Sequence, residues 1–189
     1  MTAEFEKLKE ICLSCEKCEL CKGRRNVVFG VGNPKAKIMF VGEGPGEQED
    51  LKGEPFVGPA GKLLDDMLSI IDLSRQENIY IANIVKCRPP RNREPLPDEA
   101  AACMPYLRCQ VGMIKPKIIV LLGATAAKYI LGDHIRITRD RGVWVEKKGV
   151  YFMPTYHPAA LLRDESKKRD AWHDLLAVQA KMKELGLKE

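Results

Sequence analysis

The stretch "KIMFVGEGPG", Lys37 to Gly46, decides the fold: four apolar residues, Ile38 to Val41, run without a polar break into a glycine-rich turn. A strand buried on both faces has this form, because successive side chains point to opposite sides of a sheet and each side needs an apolar cover. The same pattern recurs three times. "NIYIANIVKC" places a strand at Ile79 to Val85, "KIIVLLGA" at Ile118 to Leu122 and "VYFMPTYHP" at Tyr151 to Met153, each closed by a turn signal. Helix-period stretches lie between them. In "GPAGKLLDDMLSII", Leu63, Leu64, Met67, Leu68 and Ile71 share one face. "PDEAAACMPYLRCQVGMI" opens with Pro97, Asp98 and Glu99, which suit a first turn, and Pro105 is expected to bend or interrupt the helix that follows. "ATAAKYIL" follows the third strand and "DAWHDLLAVQAKMKEL" comes last. Strands alternating with helices specify an α/β fold, a parallel-centred sheet covered on both faces.

A chain of 189 residues, 45% of them hydrophobic, can bury one substantial core. No repeat, low-complexity tract or linker divides it, so residues 1–189 are expected to form a single domain. No apolar run approaches the roughly 18 residues that cross a membrane. "MTAEFEKLKE" is charged where a signal peptide has an apolar block, so a cytoplasmic protein without a membrane partner is expected. Lys and Arg outnumber Asp and Glu by 31 to 26, a formal charge of +5 that permits a polyanionic partner without demanding one. "CRPPRNREPLPDE", with four prolines and three arginines, is the one long irregular stretch. It is either an extended, basic functional loop or a solvated connector.

Ligands of open α/β sheets bind outside the carboxyl ends of the strands. The first strand delivers "GEGPGEQED" there, the second Asn83, and the fourth Tyr156 and His157 ahead of Pro158. The glycine loop is no phosphate cradle: Gly42, Gly44 and Gly46 do not spell GxGxxG, and Lys62 is followed by Leu63 instead of Ser or Thr. It fits a tight turn that brings amides against a neutral planar ligand, with carboxylates nearby. Phe56, in "GEPFVGPAG", is either a stacking face for such a ligand or part of the core.

The 7 cysteines are an odd count in a chain with no export signal, which favours metal binding or catalysis over disulfides. "CLSCEKCELC", Cys12 to Cys21, has a cysteine at every third position. On a continuous helix Cys12 and Cys21 stand about 13 Å apart, so the four share one centre only if the chain wraps round it. The ferredoxin spacing is also missed, because the last gap is short and Lys22 follows Cys21. One CxxC pair joined by Cys87 and Cys103 is the other solution; zinc and iron with sulfur both suit such thiols.

Taken together, "GEGPGEQED", "PFVGPAGKLL", "NIVKCRPPRNR", "LLGATAAKYILG" and "HPAALLR" resemble the family 4 uracil-DNA glycosylases, the iron-sulfur branch of the uracil-DNA glycosylase superfamily. The likeness runs in order from Cys15 to Arg163. It implies a three-layer α/β/α sandwich with a central four-stranded, mainly parallel sheet. It implies hydrolytic removal of uracil from single- or double-stranded DNA, with a monomer handing abasic sites to downstream repair enzymes. It also implies a [4Fe-4S] cluster on Cys15, Cys18, Cys87 and Cys103, leaving Cys12 and Cys21 without a role. The family's uracil pocket maps onto Glu43, Gly44, Phe56, Asn83 and His157. Glu49 and Asn92 match positions connected with catalysis, Leu161 the residue that wedges into the duplex, and Arg163 a phosphate contact.

These residue types suit the chemistry. A uracil inside a duplex must be flipped out, and a wedge, a stacking ring and phosphate contacts from Arg163 and Arg91 offset the cost. Asn83 carries both a donor and an acceptor and can match the O4 and N3–H edge of uracil, which cytosine reverses. His157 is the expected donor to the departing base at O2. Many superfamily members carry an acidic residue or Asn where this chain has Gly44, so Glu43, Glu49 and Asn92 compete to position water. Two other readings stand beside this one: a non-catalytic iron-sulfur protein that binds nucleic acid or carries electrons, and a zinc-stabilised enzyme acting on a small nucleotide. The cluster is expected to be structural, fastening the "CRPPRNREPLP" loop to the N-terminal segment.

Overall fold

The computed structural model describes residues 2–187. Its helices are α1 (Ala3–Leu13), α2 (Glu47–Lys52), α3 (Pro59–Ser69), α4 (Pro97–Ile114), α5 (Ala124–Leu131), α6 (Ile137–Asp140), α7 (Pro158–Arg163) and α8 (Lys168–Glu184). Its strands are β1 (Val31–Gly32), β2 (Ile38–Gly42), β3 (Ile79–Asn83), β4 (Ile118–Leu122), β5 (Val145–Lys147) and β6 (Val150–Thr155), in the sheet order β1-β3-β2-β4-β6-β5. The four strands expected from the sequence are the parallel centre, β3-β2-β4-β6.

The sheet of the described residues nevertheless has six strands, not four, because β1 and β5 add antiparallel edges. With two and three residues they carry no apolar run, and short edge strands of this kind limit unwanted pairing with other chains. β3 ends at Asn83, before the expected Val85, although the Ile84 and Val85 amides still donate to the Gly42 and Glu43 carbonyls as the chain leaves the sheet.

Period-2 alternation builds the layers. Met39 and Val41 of β2, with Tyr80 and Ala82 of β3, face a core closed by α1, α4 and α5 through Phe5, Leu107 and Ala127. Ile38, Phe40, Ile79 and Ile81 face the opposite core, closed by α3 and α8 through Leu64, Leu68, Leu175 and Val178. Burying each such side chain is worth about 1.5–3 kcal/mol. On α3, Leu64 and Leu68 pack on the sheet while Leu63 and Met67 turn towards α7. α4 runs through Pro105 without the interruption that was one of its two expected effects. Buried Ala100, Cys103 and Met104 before the proline, and Tyr106, Leu107, Gln110 and Ile114 after it, hold both halves to the sheet, and this packing outweighs one lost backbone bond.

The chain passes from β2 to β3 on one side, then crosses to β4 on the other, so the topology switches direction between β2 and β4. The crevice beyond the carboxyl ends of these strands is where the fold offers a ligand site.

Candidate active site

A cleft of about 620 Å³ opens at this switch point, a size typical of small-molecule sites. Glu43, Gly44, Glu49, Phe56, Asn83, Asn92, His157 and Arg163 all line it. Sequence positions from 43 to 163 are therefore gathered around one space.

Its floor is made by close approach. Asn83, at the end of β3, is 2% exposed. Its side-chain Oδ1 is buried and accepts no hydrogen bond among the described residues. Phe56 is 7% exposed and its ring lies 5.4 Å from the His157 ring at 31°. A side chain at Gly42 would place Cβ 2.6 Å from both Asn83 Oδ1 and Phe56 Cζ, so only glycine lets the two stand together. Phe56 has φ 53°, a left-handed backbone uncommon for a bulky residue, and such geometry concentrates at functional sites.

His157 is the N-cap of α7, where its Nδ1 accepts from the Ala159 amide at 3.0 Å. That bond puts the imidazole proton on Nε2 in the neutral ring. Burial pushes its pKa down from 6.5 to about 4, the Arg163 charge pushes the same way, and Glu49 opposes them. The imidazole is neutral at pH 7. Glu43 is half-buried, and burial raises its carboxyl above the usual Glu range while the Thr125 hydroxyl lowers it and Glu94 adds to the rise.

The other water-positioning candidates are engaged elsewhere. Glu49 accepts from the amides of Gly46 at 3.1 Å, Val57 at 2.9 Å and Gly58 at 3.1 Å, stapling the first loop to the Phe56 segment. Asn92 is exposed and its Oδ1 accepts from Arg88 Nε at 2.8 Å. Arg91 is exposed but lies outside the cleft lining. Arg93 does line the cleft, yet its guanidinium is paired with Glu99 at 2.7 Å.

Leu161, matched by the resemblance to the wedge, lies in the core of the described residues. It is 1% exposed, packed with Tyr156, Ala171, Leu63, Met67 and Ile137, because the buried face of α7 meets α3 at this position. The next residue, Leu162, is 47% exposed.

A second cavity brings six thiols together: Cys12, Cys15, Cys18, Cys21, Cys87 and Cys103. α1 stops at Leu13, so the chain turns and wraps through a short 3-10 turn at Glu19–Lys22, as a shared centre requires. Cys12, to which the resemblance assigns no role, is buried against this cavity, whereas Cys109 is exposed and apart from it. Burial pushes the Cys103 thiol up to about 11, with Lys86 pulling it down, and the Cys12 thiol up to about 12. Such thiols become thiolates only with positive charge to hold them.

The surroundings supply some of that charge. Arg24 Nη1 donates to Cys87 Sγ at 3.4 Å and the Lys86 amide donates to Cys103 Sγ at 3.2 Å. Lys86 itself is 1% exposed, and its ammonium donates only to neutral acceptors, the Asn83 carbonyl at 3.1 Å and Gln110 Oε1 at 2.7 Å. Burial pulls its pKa down to about 8, and thiolate charge at Cys103 and Cys12 opposes that fall. A buried cation without a carboxylate calls for an anion beside it, and a metal–thiolate centre provides one. No three His, Cys, Asp or Glu side chains among the described residues converge on a single ion. The six thiols border one shared cavity.

The family model for the "Uracil DNA glycosylase superfamily" matches residues 29–176. The chain belongs to this superfamily. It is 50% identical over 173 residues to the type-4 uracil-DNA glycosylase of Sulfurisphaera tokodaii, covering 87% of this chain and 79% of that protein. It is 47% identical over 168 residues to the type-4 uracil-DNA glycosylase of Thermotoga maritima, covering 87% and 86%. A type-5 uracil-DNA glycosylase of Thermus thermophilus is more distant, 31% identical over 118 residues. Within this member of the superfamily, sequence reasoning missed Thr125 and Glu94, which surround Glu43. Thr125 had a signal, its place in the first turn of α5 two residues past Gly123, which follows β4; Glu94 had none, since its neighbourhood is set by the return of a long loop.

Proposed function

We propose that this chain is a uracil-DNA glycosylase acting on uracil flipped out of DNA. The observation that carries the proposal is the buried, unpartnered Oδ1 of Asn83 beside the Phe56 ring in the cleft. A buried acceptor left alone is costly, and the N3–H of uracil satisfies it while the Asn83 amide donates to O4. Cytosine presents an acceptor at N3 and a donor at its exocyclic amine, so both matches fail. The Phe56 ring offers a stacking face worth roughly 1–3 kcal/mol.

In the reaction the C1′–N1 bond breaks with its electron pair to the base, and water adds at C1′. The proton shed by water ends on the released uracil. His157, neutral with its proton on Nε2, donates to the developing negative charge at O2, an electrostatic role that needs no proton transfer. Glu43 is the residue that positions water, since the oxygens of Glu49 are held by backbone amides and Asn92 is turned to Arg88. Leu162 replaces Leu161 as the wedge, and exposed Arg163 and Arg91 engage phosphates.

Cys15, Cys18, Cys87 and Cys103 are the proposed ligands of a [4Fe-4S] cluster. When bound, it cross-links the N-terminal segment, the start of the Cys87–Leu96 loop and α4, and it supplies no step of the hydrolysis. Incubation with an oligonucleotide carrying one uracil, followed by alkali, tests the function: a break at the uracil is expected, and folded protein that leaves the strand intact refutes it. A brown preparation with iron and sulfide in equal amounts is the expected sign of the cluster.

A further inference from the structure

Arg75 lies in none of the motifs above, in the turn between α3 and β3, yet it is 8% exposed. Its Nη1 donates to the Pro55 carbonyl at 2.7 Å and its Nη2 to the Phe56 carbonyl at 2.8 Å. Its Nε donates to Asp65 Oδ1 at 3.0 Å, so a carboxylate on α3 anchors the fork. Burying a guanidinium is unfavourable unless its donors are used, and these are spent on two consecutive carbonyls of one loop. A planar fork holds two carbonyls in one fixed orientation, which a point charge on a flexible stem does not do.

What the fork holds is an unfavourable backbone. Phe56 has φ 53°, and its carbonyl presses so closely on α3 that any side chain at Gly61 would overlap it. Left-handed geometry at a bulky residue persists only where the surroundings over-determine it. Gly61 makes the room and Arg75 supplies the hold. The direction of the Phe56 ring, and with it the 5.4 Å approach to His157, follows from this backbone.

We propose that Arg75, anchored by Asp65, is a positioning residue that locks the left-handed backbone of Phe56 so that the ring stands ready to stack on a flipped uracil. This rests on the function proposed above. It acts on binding of the base and not on the breaking of the bond.

The test is a double-mutant cycle with Arg75→Lys, Phe56→Ala and the double variant, read as inhibition by free uracil and as single-turnover excision at saturating DNA. Arg75→Lys is expected to weaken uracil binding roughly tenfold, within the range that stacking is worth. The rate at saturation should fall no further than uracil binding does, because His157 and Glu43 are untouched and the ring only holds the flipped base. In the Phe56→Ala background Arg75→Lys should add less than about twofold, since residues that act as one unit are not additive. Equal losses in both backgrounds, or unchanged uracil binding in folded Arg75→Lys, overturn the proposal. If Arg75→Lys does not fold, Asp65→Asn takes its place in the cycle: it keeps both carbonyl contacts but loses the anchor, and a smaller loss that vanishes with Phe56→Ala is expected. Failure of the functional reading looks different, because Phe56→Ala itself then binds uracil like the wild type.

Discussion

Replacing His157 by leucine removes the nitrogen proposed to meet uracil O2 while keeping an apolar neighbour for Phe56. Two magnitudes decide what should follow. With a pKa near 4, about one imidazole in a thousand is protonated at pH 7, so an imidazolium acid would work at a large disadvantage. One preorganised neutral donor to a developing oxyanion is worth about 10²–10³ in rate. His157→Leu should therefore lower single-turnover excision by about 10²–10³-fold. The wild-type rate should show no loss attributable to His157 as pH rises through 6.5, because the neutral ring already carries the Nε2–H donor. Stability follows the same titration: the unfolded chain binds the proton near 6.5 and the folded chain only near 4, so acidification across that window weakens the fold, by about 3 kcal/mol at its end. His157→Leu should melt with less acid sensitivity. With 3 histidines in the chain, nitrogen NMR can assign the tautomer directly. An Nδ1–H tautomer, or a wild-type rate that falls tenfold per pH unit above about 6.5 and a variant that lacks the fall, would refute the reasoning.

Gly42→Ala should abolish uracil inhibition with a stability loss of about 1–3 kcal/mol, because its Cβ meets Asn83 and Phe56 at 2.6 Å; retention of tight uracil binding would contradict the floor described for the cleft. Leu161→Ala should cost about 2–5 kcal/mol in denaturant melts, whereas Leu162→Ala should leave the melt unchanged and impair excision from duplex more than from single strands. Equal effects on the two substrates would remove Leu162 as the wedge. Lys86→Met should hasten loss of iron to a chelator by about tenfold, measured from cluster absorbance, and unchanged loss would show that the buried ammonium is not its counter-charge. Arg163→Ala should reduce the slope of log affinity against log salt by about 1, and an unchanged slope would place Arg163 off the phosphates.

The legible parts of this protein were those written locally. Ile38–Val41 and its three counterparts announce a doubly covered parallel sheet because strand burial has a two-residue period. The site residues Glu43, Phe56, Asn83 and His157 stand beside strand ends or glycine turns, so their convergence follows once the strands are parallel. Cys87 and Cys103 line one cavity with all four N-terminal cysteines, so which of those four they join was not legible from spacing. The edge strands were hidden because two or three residues leave no pattern, and Pro105 does not interrupt α4 because propensity gives way to eight buried residues along it.

Three-dimensional packing settled the remainder. Leu161 and Leu162 are the same residue type one position apart, and only the seating of α7 on α3 decides which is core and which faces solvent. Glu43 and Glu49 are likewise alike in sequence; the return of Val57 and Gly58 occupies one and leaves the other half-buried beside Thr125. Arg75 lies in no motif, and Lys86, though inside "NIVKCRPPRNR", has no role legible there, since both act through groups placed around them by other segments. By itself the sequence determined the parallel centre of the sheet, the family motifs and most of the candidate groups, because periodicity and turn chemistry act between neighbours along the chain. The tertiary structure alone decided which of these groups are free to act, because hydrogen-bond partners and burial belong to contacts between segments distant in sequence.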